Sequence, residues 1–262
     1  MVVSTNPPSQ YATDGNLAAR QRLWWSGRRE PRFDLFSWAL DLAGVTPGGD
    51  QRVLDVGCGN GAYEVAMHER GHRGLRVALD LSAGMLSRVH HGLGLQADVQ
   101  RLPVPADAFD LVLAPHMLYH VPDIVAAARE CQRVLRPGGL VVAVTNSDSN
   151  LVELRDLVEA AVGSGWRMVQ PSVRHFSLEN GRVPLAAAFE SVTRVDCPET
   201  HLEVTDLDAV VDYVASVGDH YQAEIGRPRA DVVERVRQLA GDVLASGHPL
   251  RFTSAAGAFV CR

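Results

Sequence analysis

The run Val53-Leu54-Asp55-Val56-Gly57-Cys58-Gly59-Asn60-Gly61 constrains this chain more than any other. Residues 52–56 read as a short, β-branched and apolar strand with the carboxylate of Asp55 inside it. Three glycines follow at alternate positions. Residues 62–70 then continue with helical spacing, Val65, Ala66 and Glu69 following the turn. A strand, a glycine-rich bend and a helix open a doubly wound α/β domain, whose ligands sit at the carboxyl ends of the strands. Without Cβ atoms, Gly57, Gly59 and Gly61 can take positive φ and let the backbone approach a ligand closely. The spacing is not the Gly-x-Gly-x-x-Gly that cradles a pyrophosphate, and no Lys-Ser or Lys-Thr follows, which excludes a P-loop. Asp55, two residues before the first glycine, suits a cation better than a phosphate.

The form Asp55-Val56-Gly57-Cys58-Gly59-Asn60-Gly61 resembles the first motif of class I S-adenosylmethionine-dependent methyltransferases. More of that pattern follows in order. A second strand over 75–79 ends in Asp80, and Asp80-Leu81-Ser82-Ala83-Gly84-Met85-Leu86 is similar to the family's second motif. Asp80 lies about 20 residues past the glycine turn, the offset of a ribose-binding acid. The competing role is at a helix over 83–90, which Asp80 or Ser82 can cap; both hold if Ser82 caps while Asp80 faces the ligand. Gln96-Ala97-Asp98-Val99 closes a short third strand. There the resemblance implies that Asp98 accepts the adenine amino group and that the Val99 amide meets a ring nitrogen, against the alternative of a plain surface turn. Ala97-Asp98, Leu102-Pro103 and Phe109-Asp110-Leu111-Val112 are similar to the small-molecule branch, the type seen in ubiquinone and menaquinone biosynthesis. The Asn-Pro-Pro-Tyr of amino-directed nucleic-acid methyltransferases and a Pro-Cys nucleophile are both absent at the end of strand four, 111–114. Arg133-Val134-Leu135-Arg136-Pro137-Gly138-Gly139 is a further hallmark.

The resemblance implies S-adenosyl-L-methionine as cofactor, held by Asp55, Gly57, Cys58, Gly59, Asp80, Leu81, Met85, Ala97, Asp98, Val99 and His116. It also implies the fold: an α/β, doubly wound, Rossmann-like seven-stranded sheet, last strand antiparallel, with helical lid elements. Helical spacing predicts helices over 15–27, 33–43, 123–135, 151–162, 178–188, 207–217 and 230–245. Strand five is expected over 140–145, strand six over 189–195 and strand seven over 250–260. Three regions follow: an N-terminal helical lid (1–45), a cofactor-binding core (46–147) and substrate-cap helices with the last two strands (148–262). In similar enzymes an N-terminal Tyr and Arg face the methionine carboxylate. That implies Tyr11 and Arg20, the Arg pairing it bidentately; the alternative is that these residues and Trp24 and Trp25 only pack the helix.

Pro115-His116-Met117-Leu118-Tyr119-His120-Val121 stands where the family's sulfonium and acceptor meet. His116 and His120 are therefore the candidates for acid–base or orienting work, set against structural roles for each. His175, Phe176, His220 and Tyr221 are further pocket candidates with the same alternative. A net charge of −6 argues against a nucleic-acid surface. The chain contains no lysine, so lysine-base and Schiff-base chemistry are excluded. Its four cysteines show no CxxC spacing, which suggests neither a zinc site nor a disulfide framework. No apolar run approaches membrane-spanning length and no signal region opens the chain, so the expected setting is a reducing cytoplasm. The expected function is methyl transfer to an O, N or C atom of a small molecule, with no metal, no membrane and an open oligomeric state. Two rivals stay in view: a binding protein of this fold that lost or exchanged the chemistry, and a dinucleotide-dependent oxidoreductase, which lacks its glycine fingerprint here.

Overall fold

The structure is a computed structural model that describes residues 15–163, 175–217 and 228–262. Its main sheet has seven strands: β2 (Val53–Val56), β3 (Arg76–Asp80), β4 (Leu93–Gln96), β5 (Phe109–Leu113), β6 (Leu135–Asn146), β7 (Val192–Asp196) and β10 (Ala256–Cys261). Their order is β4-β3-β2-β5-β6-β10-β7. Neighbours from β4 to β6 are parallel, and β10 runs antiparallel to both β6 and β7. Every residue of β2 is buried, as a central parallel strand covered on both faces requires.

Helices cover the two faces. On one, α5 (Ile124–Val134) buries Ile124, Ala127, Ala128, Cys131 and Val134, one stripe at helical spacing. Asp123 starts it as N-cap, its carboxylate accepting from the Ala126 amide at 2.9 Å. On the other, α2 (Leu35–Leu42) and α3 (Ala62–Glu69) pack Ala39, Leu40, Tyr63 and Met67 against Val53, Leu111, Val142 and Ala258.

Residues beyond the expected pattern build a second layer. β1 (Arg28–Glu30), β8 (Thr200–Val204) and β9 (Leu250–Ser254) form a small antiparallel sheet in the order β1-β8-β9. With α1 (Gly15–Ser26), α6 (Val152–Val162), α8 (Leu207–Val217) and α9 (Arg229–Ala245) it encloses its own core, including Leu23, Leu154, Val158, Leu202, Val214, Val236 and Phe252. Leu23 of α1 is 0% exposed in this cap core, while Ala39 and Leu40 of α2 pack with the main sheet.

Three expected elements change. The strand expected over 250–260 breaks at Ala255: β9 joins the small sheet and only β10 is the antiparallel seventh strand. The helix expected over 178–188 shrinks to α7 (Arg182–Leu185), which contains Pro184. The helix expected over 83–90 is the single turn α4 (Ala83–Leu86), with Ser82 as its cap, accepting from the Met85 amide at 3.3 Å.

Candidate active site

β2 and β5 are neighbours from which the chain leaves in opposite directions, to β3 on one side and to β6 on the other. Such a switch point opens a crevice at the carboxyl ends of its strands. Here the two turns meet. Gly57 has φ +65°, and a Cβ placed on it would lie 2.6 Å from the Met117 Cβ of the loop after β5. A cavity of ≈ 1280 Å³ spreads from this point, between the sheet and the cap.

Most residues singled out in the sequence line that cavity: Gly57, Cys58, Gly59, Asp80, Leu81 and Met85 from the first two strand ends, Ala97, Asp98 and Val99 from the third. Asp80 does two jobs at once. Its carboxylate accepts from the Gly59 amide at 2.9 Å and from the Ser82 amide at 2.8 Å, one on each oxygen. Each oxygen has a further lone pair, so the group can fix the turn and still receive hydroxyls. Burial pushes its pKa up, and the backbone amides oppose that. Asp98 makes the turn expected as the alternative and also faces the cavity. Its carboxylate accepts from the backbone and side-chain amides of Gln100 at 2.8 and 3.1 Å, making a turn, and it lines the cavity. Burial pushes the Cys58 thiol pKa far up, so the side chain stays a neutral thiol.

Asp55 is not on the cavity wall. It is fully buried in β2, and neither carboxylate oxygen has a hydrogen-bond partner among the described residues. Burial first, with the charges of Glu64 and Asp80 adding to it, pushes its pKa well above the usual carboxylate range. Arg20 does line the cavity, but its guanidinium donates to the Ser216 hydroxyl at 3.3 Å and to the Ser216 carbonyl at 3.1 Å. Tyr11, His220 and Tyr221 lie outside the described residues. His175 and Phe176 do not line the cavity: the His175 ring meets the Val121 carbonyl at 2.6 Å, and Phe176 packs edge-on against Phe259.

His116 and His120 both reach the cavity. His116 has φ +53°, a left-handed backbone that costs a non-glycine residue on the order of 1 kcal/mol or more. Its amide nevertheless continues the sheet ladder, donating to the Val144 carbonyl at 2.8 Å. Burial first, and Arg29 second, push its pKa down to about 4. At neutral pH it is an uncharged ring, a weak base suited to orienting a partner by hydrogen bonding. His120 packs edge-on against Tyr119, with ring centroids 4.5 Å apart.

The sequence reading missed the cap side of the cavity. Arg29, Phe33, Cys197, Thr200 and Ser254 all line it, beside Trp24 of the expected lid. The alternation Thr200, Leu202, Val204, all buried, is a strand signal that the chain does carry. The triplet Arg28-Arg29-Glu30 carries none.

The residues present fit a nucleoside-bearing cofactor: a turn bare of side chains, an acid at the end of β3 with acceptor capacity to spare, and an acid at the end of β4. Fold and site thus define a doubly wound, cofactor-binding α/β protein with a cap. Residues 54–143 match the family model described as a methyltransferase domain. A ubiquinone biosynthesis O-methyltransferase from Idiomarina loihiensis is 31% identical over 205 residues, 71% of this chain and 81% of that protein. A malonyl-[acyl-carrier protein] O-methyltransferase from Serratia marcescens is 35% identical over 123 residues, 45% of this chain and 46% of that protein. The chain spans about half the length of most of the curated relatives it matches. The fold also matches the solved structure of a presumed methyltransferase from an antibiotic biosynthesis pathway in Anabaena variabilis, with a TM-score of 0.65 at 14% identity over 87% of this chain and 96% of that one. The chain belongs to the class I S-adenosylmethionine-dependent methyltransferases, and the cofactor of that family is S-adenosylmethionine.

Proposed function

We propose that this chain is a cytoplasmic small-molecule O-methyltransferase. The observation that carries the proposal is one continuous cavity that joins the glycine turn, Asp80 and Asp98 to a space roofed by the cap and bordered by His116 and His120. The names of the relatives support oxygen as the accepting atom, and free thiols at Cys58, Cys131, Cys197 and Cys261 suit a reducing compartment. When bound, the cofactor supplies an activated methyl group and its leaving sulfide. The chain's own part is binding and alignment, worth roughly 7–11 kcal/mol in well-oriented intramolecular reactions. Gly57 and Gly59 admit the cofactor, Asp80 receives the ribose hydroxyls, and Asp98 with the Val99 amide reads the adenine edge. Leu81 and Met85 form its apolar wall. The small sheet with α1, α6, α8 and α9 roofs the acceptor and excludes water from it. His116, neutral at working pH, orients the accepting hydroxyl, and His120 is the candidate to receive its proton.

The test is turnover of the full chain with S-adenosylmethionine and a panel of phenols and hydroxy acids, reading S-adenosylhomocysteine and methylated product together. Stoichiometric appearance of both supports the proposal. Tight cofactor binding with products of another reaction would favour the rival in which the fold keeps the cofactor and has exchanged its chemistry.

A further inference from the structure

The small sheet has two chemically different faces. Directly opposite residues of an antiparallel sheet share a face, and alternate residues along a strand do too. The register pairs Arg28 with Glu203 and Glu203 with Arg251. Both pairs are ion pairs, at 3.0 and 3.4 Å, on the side away from the cap core. The same register puts Arg29, Leu202 and Phe252 on the opposite face, with Thr200 and Ser254 two positions along on their strands. Arg29, Thr200 and Ser254 all border the cavity.

Arg29 is unlike the arginines around it. It forms no ion pair among the described residues, and its one hydrogen bond there is a long contact of 3.5 Å to the Phe33 carbonyl. Its guanidinium lies over the rings of Trp24 at 5.0 Å and Phe33 at 5.8 Å, and all three residues border the cavity. Its charge is felt at His116, where it lowers the ring's pKa. Burial lowers Arg29's own pKa, so the cation is partly stripped of water, and the more distant charge of Asp34 offsets that only in part, with no direct ion pair. Thr200 is 1% exposed, and among the described residues its hydroxyl has no hydrogen-bond partner.

We propose that the inner face of the small sheet is an anchor for acidic acceptors, in which Arg29 receives a carboxylate as a fork and Thr200 donates to it, with Trp24 and Phe33 flanking an aromatic or apolar body. This rests on the methyl-transfer reading and names its substrate class: a hydroxylated, largely apolar carboxylic acid whose carboxylate is the handle and whose hydroxyl is presented beside His116. The anchored carboxylate is not the accepting group, because a charge-paired oxygen is a poor nucleophile.

The experiment is calorimetric titration of the full chain saturated with S-adenosylhomocysteine. The probes are hydroxyaryl carboxylic acids of one and two rings, each beside its own carboxamide. The acids should bind at least about tenfold more tightly than the amides in the native protein, and Arg29→Gln should remove that preference. Arg29→Lys, which keeps the charge and loses the fork, should retain only part of it. Arg251→Gln, on the outer face of the same sheet, should retain it fully, and S-adenosylhomocysteine affinity should stay within about twofold in every variant. Equal binding of acids and amides, no acid binding at all, or an acid preference that survives in a folded Arg29→Gln protein would overturn the proposal. So would a tenfold loss of S-adenosylhomocysteine affinity in Arg29→Gln, which would put Arg29 on the cofactor instead. Failure of the native protein to bind S-adenosylhomocysteine would be the distinct failure of the methyl-transfer reading itself.

Discussion

The two ends of the cavity are built by different means. At the glycine turn every positioned group is close in sequence to its neighbours: Gly57 and Gly59 follow β2, and Asp80 ends the adjacent β3 and reaches back to the Gly59 amide. At the cap end the wall comes from Trp24, Arg29, Phe33, Cys197, Thr200 and Ser254, brought together by the β1-β8-β9 register and by α1 beside it. The first end is a local motif that a sheet presents. The second is a tertiary product, and the two can be broken separately.

The largest effect is expected at the turn. Gly57→Val adds a side chain at φ +65° whose Cβ would meet Met117 Cβ at 2.6 Å. Strain and overpacking together cost several kcal/mol, so S-adenosylhomocysteine affinity should fall by about a hundredfold or more. Cys58→Ala should change it by less than about threefold, because Cys58 contributes its main chain, donating to the Leu79 carbonyl. Normal binding by Gly57→Val would mean that the turn does not wrap the cofactor.

Next comes the cap. Leu23→Ala leaves a hole in the cap's own core and should lower stability by about 2–5 kcal/mol in urea unfolding. If cap and sheet are distinct in energetics, cofactor affinity should change far less than stability does. Loss of both in parallel would erase the distinction.

Beneath the turn, Glu64 is 0% exposed, with its carboxylate 3.7 Å from Arg76 and without a hydrogen-bond partner among the described residues. Burial raises its pKa from 4.5 to about 7, against the pull of Arg76. The folded protein therefore holds this proton more tightly than the unfolded chain. Its contribution is complete below pH 4.5 and is lost as pH rises through about 7. Glu64→Gln should flatten that fall, leaving the variant more stable than the native protein at pH 8 by on the order of 2–3 kcal/mol. Parallel stability–pH curves for the two proteins would contradict this.

The smallest effect is expected at Asp80. Asp80→Ala should weaken cofactor binding by about 1.5–3 kcal/mol. Because Asp80 also holds the Gly59 and Ser82 amides, the variant should lose about 1 kcal/mol of stability as well. Unchanged affinity in a folded variant would take Asp80 out of the site.

The sequence was informative where function is carried by contiguous residues. The strand–glycine–helix unit, the acid ending β3, the turn at Asp98 and the amphipathic α5 each follow from spacing within about twenty residues. The antiparallel last strand was legible as a strand, but the break at Ala255 was not, because 250–260 carries no turn-forming Pro, Asn or Asp and only the partner strands assign its halves to different sheets. Asp55 shows the same limit. Its position in the motif is local, but its burial and its lack of a partner depend on the helices above it. Arg29 was invisible for a plainer reason: β1 is three charged residues whose pairing partner lies more than 170 positions away, Arg29 opposite Leu202.

The account's central claim is that the turn end takes the cofactor and the sheet end of the cap takes the acceptor. Hydrogen–deuterium exchange of the full chain tests it most directly, measured alone, with saturating S-adenosylhomocysteine, and with a hydroxyaryl carboxylic acid added. The account predicts that S-adenosylhomocysteine slows exchange at residues 57–61, 80–85 and 97–100, and that residues 28–33 and 197–204 slow further only when the acid is present. Unaltered exchange at 57–61 with saturating S-adenosylhomocysteine, or protection confined to the small sheet, would contradict it.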